Sequence, residues 1–301
     1  MNAPPTAKPP RIFTLTANLL AERTLEFERW SPGKTQRAHL ESFQVGGKGI
    51  NVSKMLLRLG VSNTALCFTG GAPGAECETW LQSRGFSFCA FPTSSPTRAG
   101  TVVRDNSGGY TETTFLGPDV PPDASAVTAC AEFLDVQPPG QLLALCGSFP
   151  GWSAGVLDPL RASFDRWAAK GALVVDTYGP ALAELINLPL ALLKINADEL
   201  RSLSRPRLDE IPRLVQRVII TDGAASIQIR ESDGTMETFC PPKVREVSAT
   251  GSGDVLLACV LEAMFVRRLR LRDAVGFAIP YAAANAAHDG IAEFPHIGAG
   301  S

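Results

Sequence analysis

A glycine-rich turn that precedes an apolar segment carries a single carboxylate, Asp254. The stretch reads TGSGDVLLACVL, and its Val, Leu, Ala and Cys residues are apolar on every side, as in a buried helix. Backbone N–H groups at a helix N-terminus have no partner within the helix, so such a turn attracts an anion. Gly251 and Gly253 lack Cβ, so a phosphate can approach the backbone closely. The helix dipole favours ionised Asp254, the form that a general base requires.

A simpler interpretation of this turn stays open. Aspartate is a favoured residue at a helix start, where it caps free N–H groups. Two other phosphate-binding patterns do not fit. The Lys followed by Ser or Thr of a P-loop is missing, and Leu256 stands where a dinucleotide fingerprint has its third glycine. The residues alone therefore allow both helix capping and phosphate binding.

Two further short segments contain residues suited to phosphate or metal. The segment VGGKGIN opens a helical pattern and combines the cation of Lys48 with the amide of Asn51. The segment KINADEL places Asn196 and Glu199 three residues apart, where they can share a helical face and orient water around Mg²⁺. Taken alone, the first segment also fits a flexible connection, and the second also fits a helix cap.

Short apolar strand candidates alternate with helical segments along the chain. The runs QLLALCGS, GALVVDT, LALLKIN and RVIITDG suit strands that are buried on both faces of a parallel sheet. Their alternation with helices predicts βαβ units and an α/β fold of the doubly wound type. KVREV, before the glycine-rich turn, predicts a further strand. Thr101 to Gly117 differs, because a DNSGG turn between Thr-rich arms predicts a hairpin in a small separate β layer.

The composition excludes several classes of function. With a net charge of −2 in 301 residues, the chain has no electrostatic basis for binding nucleic acid or an anionic membrane. Seven cysteines without a CxxC pair indicate buried free thiols in a reducing compartment, and three scattered histidines argue against zinc. Residues 1–10, MNAPPTAKPP, predict a disordered tail. Since no apolar run reaches membrane-spanning length, we expect a cytoplasmic protein.

Together and in this order, the segments resemble the ribokinase/PfkB carbohydrate kinase family. The strongest motifs are GGKGINVSKMLLRLG and TGSGDVLLA, and CGSFPG, KINADEL and VIITDGAASI fit the family pattern between them. TLTANLLAERT, PTRAGTVV and YTETTFLGP resemble the 1-phosphofructokinase and tagatose-6-phosphate kinase branch. The resemblance implies one ribokinase-like domain over residues 11–301. It would have a Rossmann-like αβα core and a small β-sheet lid from about 14–43 and 88–116.

The resemblance also implies a reaction, the transfer of the ATP γ-phosphoryl group to a sugar hydroxyl with Mg²⁺. Asp254 would accept the hydroxyl proton, and the amides of Gly251, Ser252 and Gly253 would stabilise the charge on the transferred group. The implied ATP ligands are Lys194, Asn196, Glu199, Thr221, Gly223 and Asn285, with Asn196 and Glu199 binding Mg²⁺ through water. The implied substrate ligands are Glu22, Gly47, Lys48, Asn51 and, for a phosphate on the sugar, Arg98.

Departures from the branch pattern lie mainly on the sugar side. Glu22 replaces an Asp, Leu19 replaces a Pro and Gly100 replaces an Asn. The leading expectation is a kinase of a sugar phosphate of the fructose 1-phosphate or tagatose 6-phosphate type. A kinase of an unphosphorylated sugar or nucleoside, and a non-catalytic nucleotide or sugar sensor, are the alternatives. A homodimer through the lid strands is a further implication of the resemblance.

Overall fold

The computed structural model describes residues 9–107, 111–203 and 208–297. Within these ranges, the strands form a nine-stranded sheet and a four-stranded sheet. Most of the predicted N-terminal tail, residues 1–8, lies outside the described residues.

The nine-stranded sheet is the centre of the molecule. In chain order its strands are β1 (Ile12–Thr16), β4 (Asn63–Thr69), β5 (Phe88–Pro92), β8 (Leu142–Cys146), β9 (Ala172–Asp176), β10 (Leu192–Asn196), β11 (Val218–Asp222), β12 (Ser226–Arg230) and β13 (Met236–Phe239). Their order across the sheet is β13-β12-β11-β10-β9-β8-β1-β4-β5. From β11 to β5 all neighbours are parallel, whereas β12 and β13 are antiparallel. The carboxyl ends of the parallel strands therefore share one edge, where α/β sheets bind ligands.

Helices cover both faces of this sheet. They are α1 (Lys48–Arg58), α2 (Gly71–Ser83), α3 (Ala124–Asp135), α4 (Asp158–Lys170), α5 (Gly179–Leu185), α6 (Ala197–Ser202), α7 (Ser252–Leu261) and α8 (Leu271–Ala286). One apolar core lies between the sheet and α3, α4 and α5, and another lies between the sheet and α1, α7 and α8. The predicted αβα core is confirmed. A π-helical turn, Glu262–Val266, continues α7.

The four-stranded sheet forms the lid. Its strands are β2 (Leu20–Phe27), β3 (Leu40–Gly46), β6 (Arg98–Asp105) and β7 (Thr111–Leu116), in the order β3-β2-β6-β7. The predicted hairpin corresponds to the antiparallel pair β6 and β7, although residues 108–110 of its turn lie outside the described residues. The expected lid boundaries differ from the structure, because the lid begins at Leu20, and β5 pairs with β4 in the large sheet.

The strand predicted at KVREV, residues 243–247, is wrong. These residues are described and form no strand, and the backbone N–H groups of Val247 and Ser248 both donate to the carbonyl oxygen of Ala286. Pro241 and Pro242 follow directly after the edge strand β13 and its neighbour Cys240. Proline has no N–H to donate to a ladder, so the chain leaves the sheet there.

Candidate active site

A cleft of about 590 Å³ lies between the lid and the carboxyl edge of the large sheet. The lid contributes residues from all four of its strands, and the core contributes the first residues of α1, the ends of β10 and β11 and the glycine-rich turn. The lid residues are Leu20, Glu22, Gln44, Gly46, Val102, Arg104, Glu112, Thr114 and Leu116. Core residues in the lining include Gly47, Lys48, Asn51, Lys194, Asn196, Thr221, Gly223, Gly251, Gly253 and Asp254.

The glycine-rich turn reaches the cleft as the N-terminus of α7. Gly251 has a φ of 75°, in the left-handed region that disfavours side chains. A Cβ at this position would also lie 2.6 Å from Cγ2 of Ile291, so the close packing requires glycine. Ser252 begins the helix, and its Oγ accepts a hydrogen bond from Asn285 Nδ2 at 3.1 Å. Gly251, Gly253 and Asp254 line the cleft, whereas Ser252 does not. The N–H of Ser252 donates to Ala249 O at 3.2 Å and that of Asp254 donates to Gly251 O at 3.0 Å, so the stabilising role of these amides stays a prediction.

Asp254 is buried at the floor of the cleft. Its side chain lies in the first turn of α7, and the residue is 5% exposed. Asn51 Nδ2 donates to Asp254 Oδ2 at 2.7 Å, which joins α1 to α7 across the site. Burial, with the nearby charge of Asp176, raises the pKa of Asp254 to about 6, although Lys194, Lys48 and the Asn51 hydrogen bond oppose the rise.

The direction of this pKa shift differs from the sequence argument. The helix dipole was expected to favour the carboxylate, but burial outweighs it. A carboxyl group with a pKa near 6 is still mostly ionised at pH 7. It also holds a proton more strongly than an ordinary Asp, and this match to the working pH suits a general base.

A second buried carboxylate, Asp176, lies at the carboxyl end of β9. Its Oδ1 accepts a hydrogen bond from Lys48 Nζ at 2.8 Å, and its Oδ2 accepts one from Lys194 Nζ at 2.7 Å. Burial raises the pKa of Asp176, but the two lysines outweigh burial and hold it below its ordinary value. Sequence reasoning missed this residue, although the segment GALVVDT shows an acidic residue at the end of a buried strand.

Asn196 and Glu199 form a capping box at the start of α6. Asn196 Oδ1 accepts from the N–H of Glu199 at 2.8 Å, and Glu199 Oε2 accepts from the N–H of Asn196 at 2.8 Å. Glu199 Oε1 also accepts from Lys48 Nζ at 3.2 Å. The helix-cap interpretation therefore holds for both residues. Their oxygens retain further lone pairs, which is compatible with ordering water around a metal ion.

The predicted nucleotide ligands divide into two groups. Lys194, Asn196, Thr221 and Gly223 line the cleft, whereas Glu199, which contacts Lys48, is absent from the lining of the cleft. Asn285 does not contact it, because the residue is 1% exposed and its amide is fully used. Its Nδ2 donates to Thr250 O at 3.0 Å and to Ser252 Oγ, and its Oδ1 accepts from the N–H of Ala292 at 2.8 Å. The structure thus places Asn285 behind the glycine-rich turn as a support, not as a direct ligand.

Four of the five predicted sugar ligands line the cleft, Glu22 from the lid and the other three from the start of α1. Glu22, Gly47, Lys48 and Asn51 all line the cleft. Glu22 Oε1 accepts a hydrogen bond from Gln44 Nε2. Burial raises the pKa of Glu22, and the hydrogen bond from Gln44 opposes this rise. Glu22 therefore combines a partly desolvated carboxyl group with a fixed orientation, which suits hydrogen bonding to a hydroxyl.

Arg98 is not brought into the cleft with the other predicted ligands. It lies at the start of β6, and its Nη1 donates to Asp119 Oδ1 at 2.7 Å. The same oxygen accepts from Asn18 Nδ2 at 2.8 Å, and Asn18 also donates to Ser148 Oγ. Arg98 pairs along the backbone with Leu20, a residue of the cleft lining, but Arg98 itself lines a separate small pocket with Asn18. Arg98 is thus adjacent to the cleft, with its guanidinium held by a carboxylate.

Arg104 is a cleft residue that sequence reasoning missed. It stands on β6 and its guanidinium contacts Glu112 and Glu26 within the lid, at 3.2 and 3.5 Å. It also donates to the carbonyl oxygen of Asp289 at 2.5 Å, in the segment after α8. Thr250, directly before Gly251, donates to Glu112 at 3.5 Å. These contacts join the lid to the core beside the glycine-rich turn.

The arrangement has the components of a phosphoryl-transfer site. A carboxylate with a pKa raised to about 6, a glycine-rich helix N-terminus and two lysines, of which Lys194 is buried and Lys48 half-buried, meet at one end of a cleft between a core and a lid. A profile of the family described as pfkB family carbohydrate kinase matches residues 15–296. The chain belongs to this family. It is therefore an ATP-dependent carbohydrate kinase, and the predicted family and fold are confirmed.

Relatives of this kinase cover nearly all of its length. The D-tagatose-1-phosphate kinase of Bacillus licheniformis is 28% identical over 91% of this chain and 90% of its own. The 1-phosphofructokinase of Borreliella burgdorferi is 28% identical over 95% of each chain. In fold, the kinase resembles the tetrameric inhibited form of phosphofructokinase-2 from Escherichia coli. That similarity has a TM-score of 0.82 at 22% identity and covers 92% of this chain and 94% of that one.

Proposed function

We propose that this kinase transfers the γ-phosphoryl group of ATP to a hydroxyl of a sugar phosphate, of the fructose 1-phosphate or tagatose 6-phosphate type. The observation that carries the proposal is the placement of Asp254, which is buried at the floor of the cleft beside a glycine-rich helix N-terminus and held by Asn51. The names of the two relatives at 28% identity, both sugar phosphate kinases, support this substrate class.

In this proposal each residue at the floor of the cleft has one task. Asp254 Oδ1 accepts the proton of the attacking hydroxyl, while Oδ2 stays bound to Asn51. The N–H groups of the glycine-rich turn stabilise the charge on the phosphoryl oxygens, as donors fixed in advance of the reaction. Lys48 and Lys194 neutralise further phosphate charge, and the lid excludes water. Phosphoryl transfer requires mainly this positioning and neutralisation.

ATP and Mg²⁺ are the proposed nucleotide substrate and metal. Thr221, Gly223 and Lys194 line the cleft where the nucleotide is proposed to bind. Among the described residues, no group of three or more His, Cys, Asp or Glu side chains is arranged to hold a metal. This fits Mg²⁺, which keeps several waters and binds mainly through substrate phosphates and one or two carboxylates. Glu199 and Asn196 are the residues proposed to bind those waters, where the metal would neutralise phosphate charge.

Arg98 is the proposed ligand of the phosphate already present on the sugar. In the structure its guanidinium is held by Asp119, so a substrate phosphate would have to replace this carboxylate. We expect Arg98→Ala to raise the KM for a sugar phosphate by about 100-fold, since hydrogen bonds between charged groups contribute roughly 1.5–3 kcal/mol. The KM for an unphosphorylated ketohexose should change less than about threefold, within the small net effect of an exposed ion pair. Steady-state kinetics with both acceptors test this prediction.

Asp119→Asn is the matched control for Arg98, because it keeps the shape of the side chain and removes the competing charge. It should lower the KM for the sugar phosphate. Equal effects of Arg98→Ala on phosphorylated and neutral acceptors would reject Arg98 as the phosphate ligand.

The acidity of the cleft favours a second candidate, a kinase of an unphosphorylated sugar. The cleft is lined by the carboxylates Glu22, Glu112, Asp198, Asp222, Asp254 and Asp289, against the cations Lys48, Arg104 and Lys194. Each of these cations already contacts a carboxylate. Carboxylates bind sugar hydroxyls well and repel a phosphate. A panel of acceptors in an ADP-release assay decides between the two candidates.

The catalytic assignment is tested with Asp254→Asn in the same assay. The variant should fold and bind ATP, yet lose about 100- to 10,000-fold in kcat, because it lacks the contribution of a general base. Asp273→Asn, on the exposed first turn of α8, is the matched control and should retain full activity. An Asp254→Asn variant with most of the wild-type rate would reject the assignment.

Two further aspects of the function are proposals. A homodimer through the lid is supported by Leu40 and Phe115, lid residues that are each 51% exposed. Sedimentation of the protein and of Phe115→Ser tests it. A cytoplasmic location is supported by the cysteines, which are all free. Among the described residues, none of the helices is long and apolar enough to cross a membrane.

A further inference from the structure

Asp176 connects two lysines that come from different parts of the fold. Lys194 belongs to β10, the strand beside β9, and Lys48 is the first residue of α1. Each ammonium binds a different oxygen of the same carboxylate, at 2.7 and 2.8 Å. Asp176 itself is 0% exposed, so a ligand in the cleft does not reach it.

The positions of these lysines are unfavourable without a partner carboxylate. Lys194 is 4% exposed, and a buried ammonium needs a paired charge. Lys48 stands at the N-terminus of α1, where the helix dipole repels a cation. Two ammonium groups bound to one carboxylate also repel each other. Asp176 offsets all three effects and fixes where both cations lie.

Both lysines lie beside the groups proposed to act on phosphate. A Cβ built on Gly253 would lie 3.0 Å from Lys194 Nζ, which places this ammonium against the glycine-rich turn. Lys48 and Lys194 both line the cleft together with Asp254. Lys48 is also bound by Glu199, so its ammonium is held from two directions.

We propose that Asp176 is a positioning residue for phosphoryl transfer, which holds the ammonium groups of Lys48 and Lys194 beside Gly253 and Asp254. This inference rests on the proposed function and extends it to a residue that does not touch the substrates. Asp176 acts through the lysines: the cations neutralise phosphate charge, and the carboxylate sets their distance from the turn. Its removal leaves both lysines in the cleft and misplaces them.

A double-mutant cycle tests the proposal, with the wild type, Asp176→Asn, Lys48→Met and the double variant. Asp176→Asn should lower kcat by about 100-fold, the usual effect of misplacement by ~1 Å. In the Lys48→Met background, Asp176→Asn should lower kcat by less than about tenfold, because one of the two ammonium groups that Asp176 holds is already missing. Titration calorimetry with MgAMP-PNP repeats the cycle without turnover. The loss of nucleotide affinity in the double variant should be smaller than the product of the losses in Asp176→Asn and Lys48→Met.

Two control comparisons separate the proposed positioning role of Asp176 from a loss of kcat that is caused by damage to the fold. Glu262→Gln removes another buried carboxylate, one bound by Arg267 outside the cleft, and should leave kcat within about twofold of the wild type. Where Asp176→Asn fails to fold, Asp176→Asn with Lys194→Met restores the charge balance and is compared with Lys194→Met alone. In the Lys194→Met background, too, Asp176→Asn should lower kcat by less than it does in the wild type.

Three results would overturn the inference. They are fully multiplicative effects of Asp176→Asn and Lys48→Met, a kcat unchanged by Asp176→Asn, and a defect that disappears at high Mg²⁺ concentration, which would assign Asp176 to the metal. A wild-type protein that transfers no phosphoryl group would instead reject the proposed function. The calorimetric cycle would still measure the coupling between Asp176 and Lys48.

Discussion

At the scale of single residues, Asp254 makes the activity dependent on pH. Its pKa is raised to about 6, so the group is protonated below that pH and cannot accept a proton from the sugar hydroxyl. We therefore expect kcat/KM to rise about tenfold per pH unit below pH 6 and to level off above it. An unperturbed aspartate would move this inflection to about pH 3.9. Kinetics between pH 4.5 and 8 measure the inflection.

Asn51 provides the internal comparison for this pH profile. Its hydrogen bond favours the ionised form of Asp254, so Asn51→Ala should move the inflection to higher pH. Circular dichroism at each pH separates this effect from unfolding. An inflection that does not move in Asn51→Ala would show that another group controls the profile.

Residue-scale prediction from the sequence succeeded where chemistry is encoded locally. TGSGD specifies a turn, a helix start and a carboxylate within five residues, so the position of Asp254 could be predicted. Asp176 could not, because its partner Lys48 is 128 residues away in the chain and only the fold brings them together. The buried, fully bonded state of Asn285 was equally invisible, since it depends on Thr250, Ser252 and Ala292.

At the scale of elements, the lid is fastened to the core by Arg104. Arg104→Met removes its contacts to Asp289 and the lid carboxylates while keeping an apolar stem. We expect a KM for the sugar acceptor about tenfold higher, because the loss of a charge-assisted contact of roughly 1.5 kcal/mol favours the open lid. ATP hydrolysis without acceptor should also increase as water enters the cleft.

Arg23→Met is the control for this experiment. Arg23 lies on β2 of the same lid sheet, and it pairs with Glu41 in the lid and with Glu76 on α2, so its contact with the core lies away from the cleft. It should change the acceptor KM less than about threefold, as expected for exposed ion pairs. If both variants behave alike, the position of the Arg104 contact beside the cleft has no special role.

The accuracy with which strands could be predicted from the sequence depended on how completely each strand is buried. Runs such as GALVVDT have continuous apolar centres because parallel strands are covered on both faces, and they correspond to strands in the large sheet. Lid strands are half exposed and carry mixed patterns. Their pairing is also nonlocal, since β2 pairs in parallel with β6, and no local signal specifies that register. The lid boundaries were therefore the least accurate part of the prediction.

At the scale of the whole molecule, the candidate site draws on both halves of the chain. The central strand β1 pairs with β4 and with β8, and α1 packs against α7 under the cleft. The fold class followed from the sequence because every βαβ unit reports the same architecture. The position of the lid over the core could not be predicted from the sequence, because it depends on contacts such as that of Arg104 with Asp289.

The hydrogen bond from Asn51 to Asp254 spans 203 residues of sequence. During synthesis on the ribosome, the first strands and α1 emerge long before Asp254, the proposed general base. Until α7 has emerged and packed, the nascent polypeptide has the lysines but no proton acceptor. Under the proposed function, catalytic competence therefore arises only after residue 254 has been made, and termination before this residue leaves a product without the proposed proton acceptor.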